Sequence, residues 1–441
     1  MKLPALAIDP PLFRLKSARW LLWIGVVVLA VFLVTEIKES ADPAIDAIKS
    51  DHSKTQAPLL PFTDFEMFYA GSTLARSWNR EHLYDKPTIV RQILIAQGYR
   101  YAEIPEPLDT QSEDHIWLRY YNPPAYLFAW MPVTFLNVRD AFLVAVWLNV
   151  ALLAGLAVVL GFVVRWKMPH TLLLVLGLFA FAPVYFTIHH GQPTILIAGL
   201  MAAGYMALRA GRDLWAGVLL AGTGVKPHWL LPAFTLLRRK GLIVPFLASC
   251  FVFLVLPFAI LGPGAVIDYI RLVLDRGDGD LTNSTYGEAL LSWSGFWRAL
   301  TGESQPILWL AASLATLAVY ARIWLKAGSA VSLAAAVPVF LLIIPHSHPQ
   351  DWTLMAASAG ILLSLRWSPV ALAGIGALLL GLLIGANEWI HATRAVDEGE
   401  TRVYWVSLAA AGLLVWLAVL TFVEPDMETI RDEPELAAVE A

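Results

Sequence analysis

The run AFLVAVWLNVALLAGLAVVLGFVV, residues 141–164, decides the fold class, because its 24 residues include no charged side chain. An α-helix of that length covers about 36 Å, which exceeds the roughly 30 Å hydrocarbon core of a bilayer. Comparable apolar runs flank it at about 20–34, 170–188, 191–208, 241–261, 306–324, 329–345, 351–365, 368–387 and 403–422. The sequence therefore predicts an all-α polytopic membrane protein with about 10–13 hydrophobic helices, some of them re-entrant or broken.

Composition supports the same class. Of the 441 residues, 58% are hydrophobic and 15% are charged, whereas a soluble domain carries about 25% charged residues. A net charge of −4 without a long basic run predicts no nucleic-acid partner. The single cysteine, Cys250, excludes an intramolecular disulfide. We expect one membrane domain over 1–423 and a disordered, acidic cytoplasmic tail over 424–441.

Basic residues indicate the topology. The run 125–136 is too short to span, so we expect it to enter the membrane without crossing. The segment 213–237 lies between two basic clusters, which predicts two half-helices broken near 222–227 with both ends inside. The first outer loop then covers about 35–118. The clusters predicted to be cytoplasmic are Arg165/Lys167, Arg209/Arg212, Arg238/Arg239/Lys240, Arg322/Lys326 and Arg366.

The outer loop contains an acidic helix start. The segment Thr63–Glu66 fits a capping box, which predicts a helix whose first residue is Asp64. The helix dipole would hold the Asp64 carboxylate ionised. Phe65, Phe68 and Tyr69 share one face and could press the helix onto the bilayer surface. Asp64 is then either part of a helix cap alone or a general base for a hydroxyl beside a lipid-borne leaving group.

Lys226 is predicted to lie at membrane depth. A buried ammonium is costly unless it is paired or hydrated, and Pro227 breaks the helix beside it. Lys226 could therefore hold a lipid phosphate, or it could extend to the cytoplasmic face.

Two outer turns contain histidines. His189–Pro193 and His346–Asp351 could face phosphate or sugar hydroxyls, or supply interfacial hydrogen bonds. Neither spacing is a recognised zinc pattern, so we expect no metal. No nucleotide-binding motif is present, which indicates that an activated donor would arrive through the membrane. The candidate substrate ligands at this face are Tyr121, Asn122, His190, Gln192, Asp351 and Asp85.

Taken in order over about 60–360, these motifs resemble glycosyltransferase family 87. The matching motifs are Asp64-Phe65, Leu83–Asp85, Tyr121–Pro124, Gly191-Gln192, Ala216-Gly217, Lys226-Pro227 and Arg238-Arg239. The resemblance implies a GT-C architecture and an inverting transfer from a polyprenyl-phosphate sugar, typically mannose, without a cofactor. Asp64 matches the family's base, Lys226 its lysine, and His346 or His348 its late histidine. Pro193 stands where the family usually has Asn, and the acidic insert at 103–114 is long.

From both lines we expect a lipid-linked glycosyltransferase in the bacterial inner membrane that acts on its outer side. Mannose as the sugar is what the resemblance implies. The acceptor would be a hydroxyl of an envelope glycolipid or glycan, and membrane lipids would be the other partners. Asp64 would remove the proton, while Lys226 with His346 or His348 would neutralise the leaving phosphate. A single carboxylate implies inversion, but Asp85 or Asp351 could be a second one. The alternative function is a lipid-linked sugar flippase or small-molecule transporter.

Overall fold

The computed structural model describes residues 64–78, 80–96, 124–166, 168–236, 238–275, 290–345, 347–394 and 405–423, with several positions between 24 and 34. These residues form helices joined by short turns, and the described part contains no β-strand. The helices are α1 Asp64–Arg76, α2 Lys86–Ala96, α3 Pro124–Trp130, α4 Val138–Val164, α5 Met168–Phe179, α6 Ala182–His189, α7 Thr194–Arg209, α8 Asp213–Gly222, α9 Leu230–Phe234, α10 Lys240–Cys250, α11 Leu256–Leu261, α12 Pro263–Asp275, α13 Trp293–Thr301, α14 Pro306–Lys326, α15 Ser329–Ile343, α16 Met355–Leu363, α17 Pro369–Arg394 and α18 Trp405–Val423.

Several helices are suited to a bilayer. Within the described ranges, five are long and apolar enough to cross one, and the pair α5 and α6, bent by 49°, would be a sixth span. Large apolar side chains on α4 face outward, such as Trp147 at 71% and Leu148 at 47% exposure. Lipid makes this exposure favourable, whereas water would not. The chain is therefore an all-α polytopic membrane protein, as its sequence predicts.

Arginines gather at one end of the helix bundle. Arg239 Nη1 donates to the Leu208 carbonyl at 3.3 Å, and Arg238 Nη1 donates to the Trp324 carbonyl at 2.6 Å. These carbonyls lie in the last turns of α7 and α14, where the helix dipole is negative. The Leu208 carbonyl also accepts from the Gly211 main-chain N–H at 3.1 Å. The guanidinium groups therefore cap neighbouring helices. We call this end the arginine end, defined by Arg209, Arg238 and Arg239.

The opposite end of the bundle contains the two histidine turns. α7 has 16 residues, so its start lies about 24 Å from the arginine end. It begins directly after the turn 189–193. α15 starts near Arg238, whose Nη2 donates to Ser332 Oγ at 3.2 Å, and it leads to the turn 347–354. Among the described residues, Arg209, Arg238 and Arg239 therefore lie at the opposite end from the two histidine turns. We call the end with the two turns the site end.

The segment 213–239 is a re-entrant hairpin. α8 leaves the arginine end, two short 3₁₀ turns over Thr223–Val225 and Pro227–Trp229 follow, and α9 returns. Arg239 Nε binds Asp213 Oδ1 at 2.8 Å, which joins the two ends of the hairpin. The break predicted near Gly222–Pro227 is thus confirmed, and its physical cause is Pro227, which cannot donate a helical hydrogen bond. Lys226 lies at the tip of the hairpin.

α1, α2, α3 and α12 pack beside the site end around a core of their own. Phe65 and Phe68 are 0% and 2% exposed, and Phe65 packs edge-on against Trp130 with ring centroids 5.6 Å apart. In α2, Ile89 and Ile93 are likewise buried. The expectation that the aromatic face of α1 rests on the bilayer is wrong. Amphipathic spacing shows that a face is covered but does not identify what covers it.

Candidate active site

Asp64 lies at the first position of α1, as the sequence predicts, and reaches the turn 189–193. Gln192 Nε2 donates a hydrogen bond to Asp64 Oδ2, and His190 Nδ1 lies 3.9 Å from the same oxygen. The other carboxylate oxygen, Oδ1, has no hydrogen-bond partner among the described residues. The Asp64 side chain is 28% exposed, so a substrate can reach it. The carboxylate is therefore anchored through one oxygen and open at the other.

Gly191 allows α1 to approach this turn. Its φ is +63°, a conformation that side-chain-bearing residues rarely adopt, and a Cβ there would lie 2.9 Å from Phe65 Cδ2. The Tyr126 hydroxyl donates to the Gly191 carbonyl at 2.7 Å. The turn is thus fixed by Phe65 on one side and by Tyr126 on the other. Because Gly191 has no side chain, Phe65 on α1 can pack directly against the turn, and this contact positions Asp64.

Lys226 and Asp351 form a buried ion pair at the hairpin tip. Lys226 Nζ lies 2.8 Å from Asp351 Oδ1, and the two side chains are 8% and 4% exposed. The second oxygen, Asp351 Oδ2, accepts a hydrogen bond from the His348 main-chain N–H at 3.2 Å. Lys226 therefore points to the site end rather than to the arginine end. The alternative in which Lys226 extends to the end with the basic clusters is wrong, because its ammonium pairs with Asp351.

His348 connects the two acidic groups. The two histidine turns pack against each other, since Thr187 Oγ1, just before the turn 189–193, donates to the Gln350 carbonyl at 3.1 Å. His348 lies there, and the charges of Asp351, Asp64, Lys226 and His190 act on its ring. Burial lowers the pKa of His348 below its ordinary value, while Asp351 and Asp64 oppose that shift. At neutral pH the ring is consequently neutral in the unliganded protein. A bound anion would favour the protonated form.

Some predicted ligands have other roles. Asp85 Oδ2 accepts from the Thr88 main-chain N–H at 3.1 Å and from Thr88 Oγ1 at 2.6 Å, which makes Asp85 the N-cap of α2. In the described part of the chain, no contact joins Asp85 to Asp64 or Lys226. Asp351 is engaged through both oxygens, so it positions Lys226 and the His348 turn. The contacts that Asp85 and Asp351 make in the described residues therefore do not support the expectation that they bind substrate.

Three other candidates cannot be placed. Tyr121, Asn122 and His346 lie outside the described residues. The described residues also contain no group of three or more histidine, cysteine or acidic side chains arranged to hold a metal ion.

Sequence reasoning missed two residues that support the site. Tyr126 contacts the Gly191 turn from a run that reads as plain apolar helix. Asn387, on α17, accepts from the Ala182 main-chain N–H at 2.9 Å and donates to the Ala180 carbonyl at 2.7 Å. These bonds pair the main-chain groups that are left free at the break between α5 and α6, and they therefore fix the direction of α6. A buried asparagine within a span was the available signal for Asn387.

The site combines complementary chemistry at one end of the helix bundle. An open carboxylate oxygen can accept a proton, and a buried ammonium close to His348 can stabilise a negative charge that develops during a reaction. Together they suit the displacement of an anionic leaving group by a hydroxyl.

Comparison with known proteins identifies the family. Comparison with curated proteins gives no match. The model of glycosyltransferase family 87 matches residues 120–345, just over half of the chain. Lys226, His190 and Gln192 fall inside the match, whereas Asp64 and Asp351 fall outside it. An all-helical bundle with membrane-spanning helices and an acid–base site at one end agrees with that match, and the chain belongs to glycosyltransferase family 87, the membrane glycosyltransferases.

Proposed function

We propose that the protein transfers mannose from a polyprenyl-phosphate donor to a hydroxyl group of an envelope glycolipid or glycan. Asp64 takes the hydroxyl proton, the oxygen attacks the anomeric carbon, and the bond from that carbon to the phosphate oxygen breaks. Both electrons of the broken bond leave with polyprenyl phosphate. Because phosphate is a good leaving group, no general acid is needed.

The observation that carries the proposal is the pairing of an open carboxylate oxygen with a buried, incompletely bonded ammonium in one site. Asp64 Oδ2 is held by Gln192, which leaves Oδ1 as the proton acceptor. Lys226 Nζ makes one hydrogen bond to the described residues, through Asp351, and it has three protons. The remaining N–H groups are available to the oxygens of a phosphate.

The charges at the site favour an anionic ligand whose binding is coupled to the protonation of His348. Asp351 balances the charge of Lys226, so the pair alone attracts phosphate weakly. His348, close to both, would gain a proton when the phosphate binds and would add the missing positive charge. Lys226 and His348 would thus stabilise the phosphate as it departs.

The arrangement of carboxylates favours inversion at the anomeric carbon. Retention through a covalent intermediate would need a second free carboxylate beside Asp64, so that one group attacks carbon while the other acts as base. Asp351 uses one oxygen for Lys226 and the other for His348. Asp64 is therefore left as the base of a single displacement.

We also propose that the site end faces the extracytoplasmic side of a bacterial inner membrane. The arginine end holds the basic clusters, and the positive-inside rule assigns such clusters to the cytoplasm. The donor sugar is proposed from the family resemblance.

The test is to incubate the purified protein, in lipid nanodiscs, with a panel of polyprenyl-phosphate sugars and an acceptor extract of bacterial envelope lipids. We expect one donor to be consumed and its sugar to appear on an acceptor. Asp64→Asn should lower the rate by at least 100-fold while the protein stays folded. Asp140→Asn is the matched control, since Asp140 also lies in the first turn of a helix but at the start of α4.

Two outcomes would contradict the proposal. If Asp64→Asn retains normal turnover, another group is the base. If the donor crosses the bilayer of sealed proteoliposomes intact and is never consumed, the protein is a flippase.

A further inference from the structure

The orientation of the Gln192 side-chain amide is fixed by Asp64. An ionised carboxylate can accept but cannot donate, so the group that faces Asp64 Oδ2 must be the NH₂ of Gln192. The amide oxygen, Oε1, therefore points to a different partner. Because Oε1 and Nε2 are bound to the same carbon, Oε1 itself lies close to the Asp64 carboxylate.

Gln192 Oε1 has no hydrogen-bond partner among the described residues, although Gln192 is 5% exposed. Two positions further along, at the first residue of α7, Thr194 Oγ1 also has no hydrogen-bond partner among the described residues, in a residue that is 0% exposed. Buried polar atoms are nearly always hydrogen-bonded, so each of these needs a ligand or an ordered water. The unpartnered Gln192 Oε1, next to Asp64, therefore indicates a position that a ligand completes.

We propose that Gln192 Oε1 determines acceptor specificity by accepting a hydrogen bond from a second hydroxyl, next to the one that reacts. The inference rests on the proposed function and adds the class of acceptor to it. Asp64 Oδ1 takes the proton of the attacking hydroxyl, and Gln192 Oε1 binds the neighbouring hydroxyl, whose proton stays in place. The acceptor is accordingly a polyol with adjacent hydroxyl groups, such as a sugar ring or a cyclitol, and not a simple alcohol.

The two acceptor atoms suit this class because they differ in basicity. The carboxylate is the stronger base and receives the proton that the reaction releases, while a neutral amide oxygen only accepts a hydrogen bond. The neighbouring hydroxyl would hold the attacking oxygen in line with the anomeric carbon, and such orientation accounts for a large part of many enzymatic rates. An acceptor that lacks the second hydroxyl would leave Oε1 buried without a partner, which costs binding in the transition state.

The experiment compares acceptors that differ by one hydroxyl. The donor is polyprenyl-phosphate mannose, and the acceptors are octyl α-mannoside, its four monodeoxy analogues and octan-1-ol. For the wild type we expect one deoxygenation to abolish transfer, since it removes the attacking hydroxyl. A second one, at a neighbouring carbon, should lower kcat/KM by about 10- to 100-fold. Transfer to octan-1-ol should not be detected.

Gln192→Met removes Oε1 and keeps the length of the side chain. In this variant kcat/KM for the intact acceptor should fall, and the ratio between the intact and the neighbouring-deoxy acceptor should shrink to within about threefold. A role limited to positioning Asp64 would instead lower both rates equally and leave the ratio unchanged. Gln305→Met, at the start of α14, is the matched control and should keep the wild-type ratio.

Each outcome has a distinct meaning. If the wild type uses all deoxy analogues equally well, or glycosylates octan-1-ol, the inference is overturned even if Gln192→Met does not fold. If Gln192→Met keeps the wild-type ratio, Gln192 does not determine specificity. If polyprenyl-phosphate mannose and every other donor in the panel stay unconsumed, the proposed function fails and the inference fails with it.

Discussion

Lys226 and Asp351 lie 125 positions apart in the sequence and form an ion pair of 2.8 Å at the tip of a re-entrant hairpin. Both side chains are almost completely buried. Removing one partner of such a pair leaves an uncompensated charge, which destabilises a protein by about 3–5 kcal/mol. The pair therefore has a structural role in addition to any role in binding phosphate, and the two can be separated.

The first prediction concerns this separation. Lys226→Met and Asp351→Asn should each lower the thermal unfolding midpoint in detergent markedly, because each leaves one buried charge. The double variant Lys226→Met/Asp351→Asn should recover much of that stability but should bind polyprenyl-phosphate donor as poorly as Lys226→Met. Donor affinity is measured by titration in nanodiscs. Normal donor affinity in the stable double variant would show that Lys226 does not hold the phosphate.

The second prediction concerns Gly191. Gly191→Ala places a Cβ 2.9 Å from Phe65 Cδ2 and adds backbone strain of about 1–2 kcal/mol at φ +63°. α1 should shift, so that Asp64 loses its contact with Gln192 and transferase activity falls by about tenfold or more.

Gly211 provides the matched control. Its φ is +68°, but a Cβ there would meet no atom within 4 Å. Gly211→Ala should therefore show similar destabilisation with normal activity in the same assay. Equal loss of activity in both variants would indicate general strain and would contradict the proposed role of the Phe65 contact.

The third prediction concerns the bend between α5 and α6. Asn387→Leu leaves the Ala182 N–H and the Ala180 carbonyl unpaired in an apolar environment, at a cost of about 1–3 kcal/mol each. We expect a lower unfolding midpoint together with reduced turnover, because α6 leads directly into His190. Asn149→Leu should be close to neutral, since the Asn149 amide donates to Ala145 in its own helix. A similar loss in both variants would mean that burial of asparagine matters here and the bend does not.

The fourth prediction concerns pH. The folded-state pKa of His348 is lowered, so the unfolded chain binds more protons just below the ordinary value of about 6.5. The stability that comes from a neutral His348 is present above that value and is lost as the pH falls below it. Thermal midpoints measured between pH 7.5 and pH 5 should therefore decline more steeply for the wild type than for His348→Gln.

Donor binding should show the opposite trend. Because a bound phosphate favours protonated His348, we expect wild-type affinity for the polyprenyl-phosphate donor to rise as the pH falls from 7.5 towards 6. The affinity of His348→Gln should change much less over the same range. Parallel pH profiles for the two proteins would show that His348 does not contact the phosphate.

Much of the fold follows from the sequence. Apolar runs of sufficient length predict spanning helices, and the basic clusters at 209–212 and 238–240 predict that the segment between them returns to its starting end. Pro227 indicates where that segment breaks. These features are local or depend on charge counts, so a single sequence reveals them.

The sequence by itself determined which residues could carry the chemistry: a carboxylate at a helix start, a lysine at membrane depth and two turns rich in histidine. Only the tertiary structure decided how they are used. In the folded protein, the aromatic face of α1 packs against other helices, Asp85 caps α2 and Asp351 forms an ion pair with Lys226. The physical reason is that periodicity and composition show that a side chain must be buried or paired, whereas the identity of its partner depends on contacts between residues far apart in the chain.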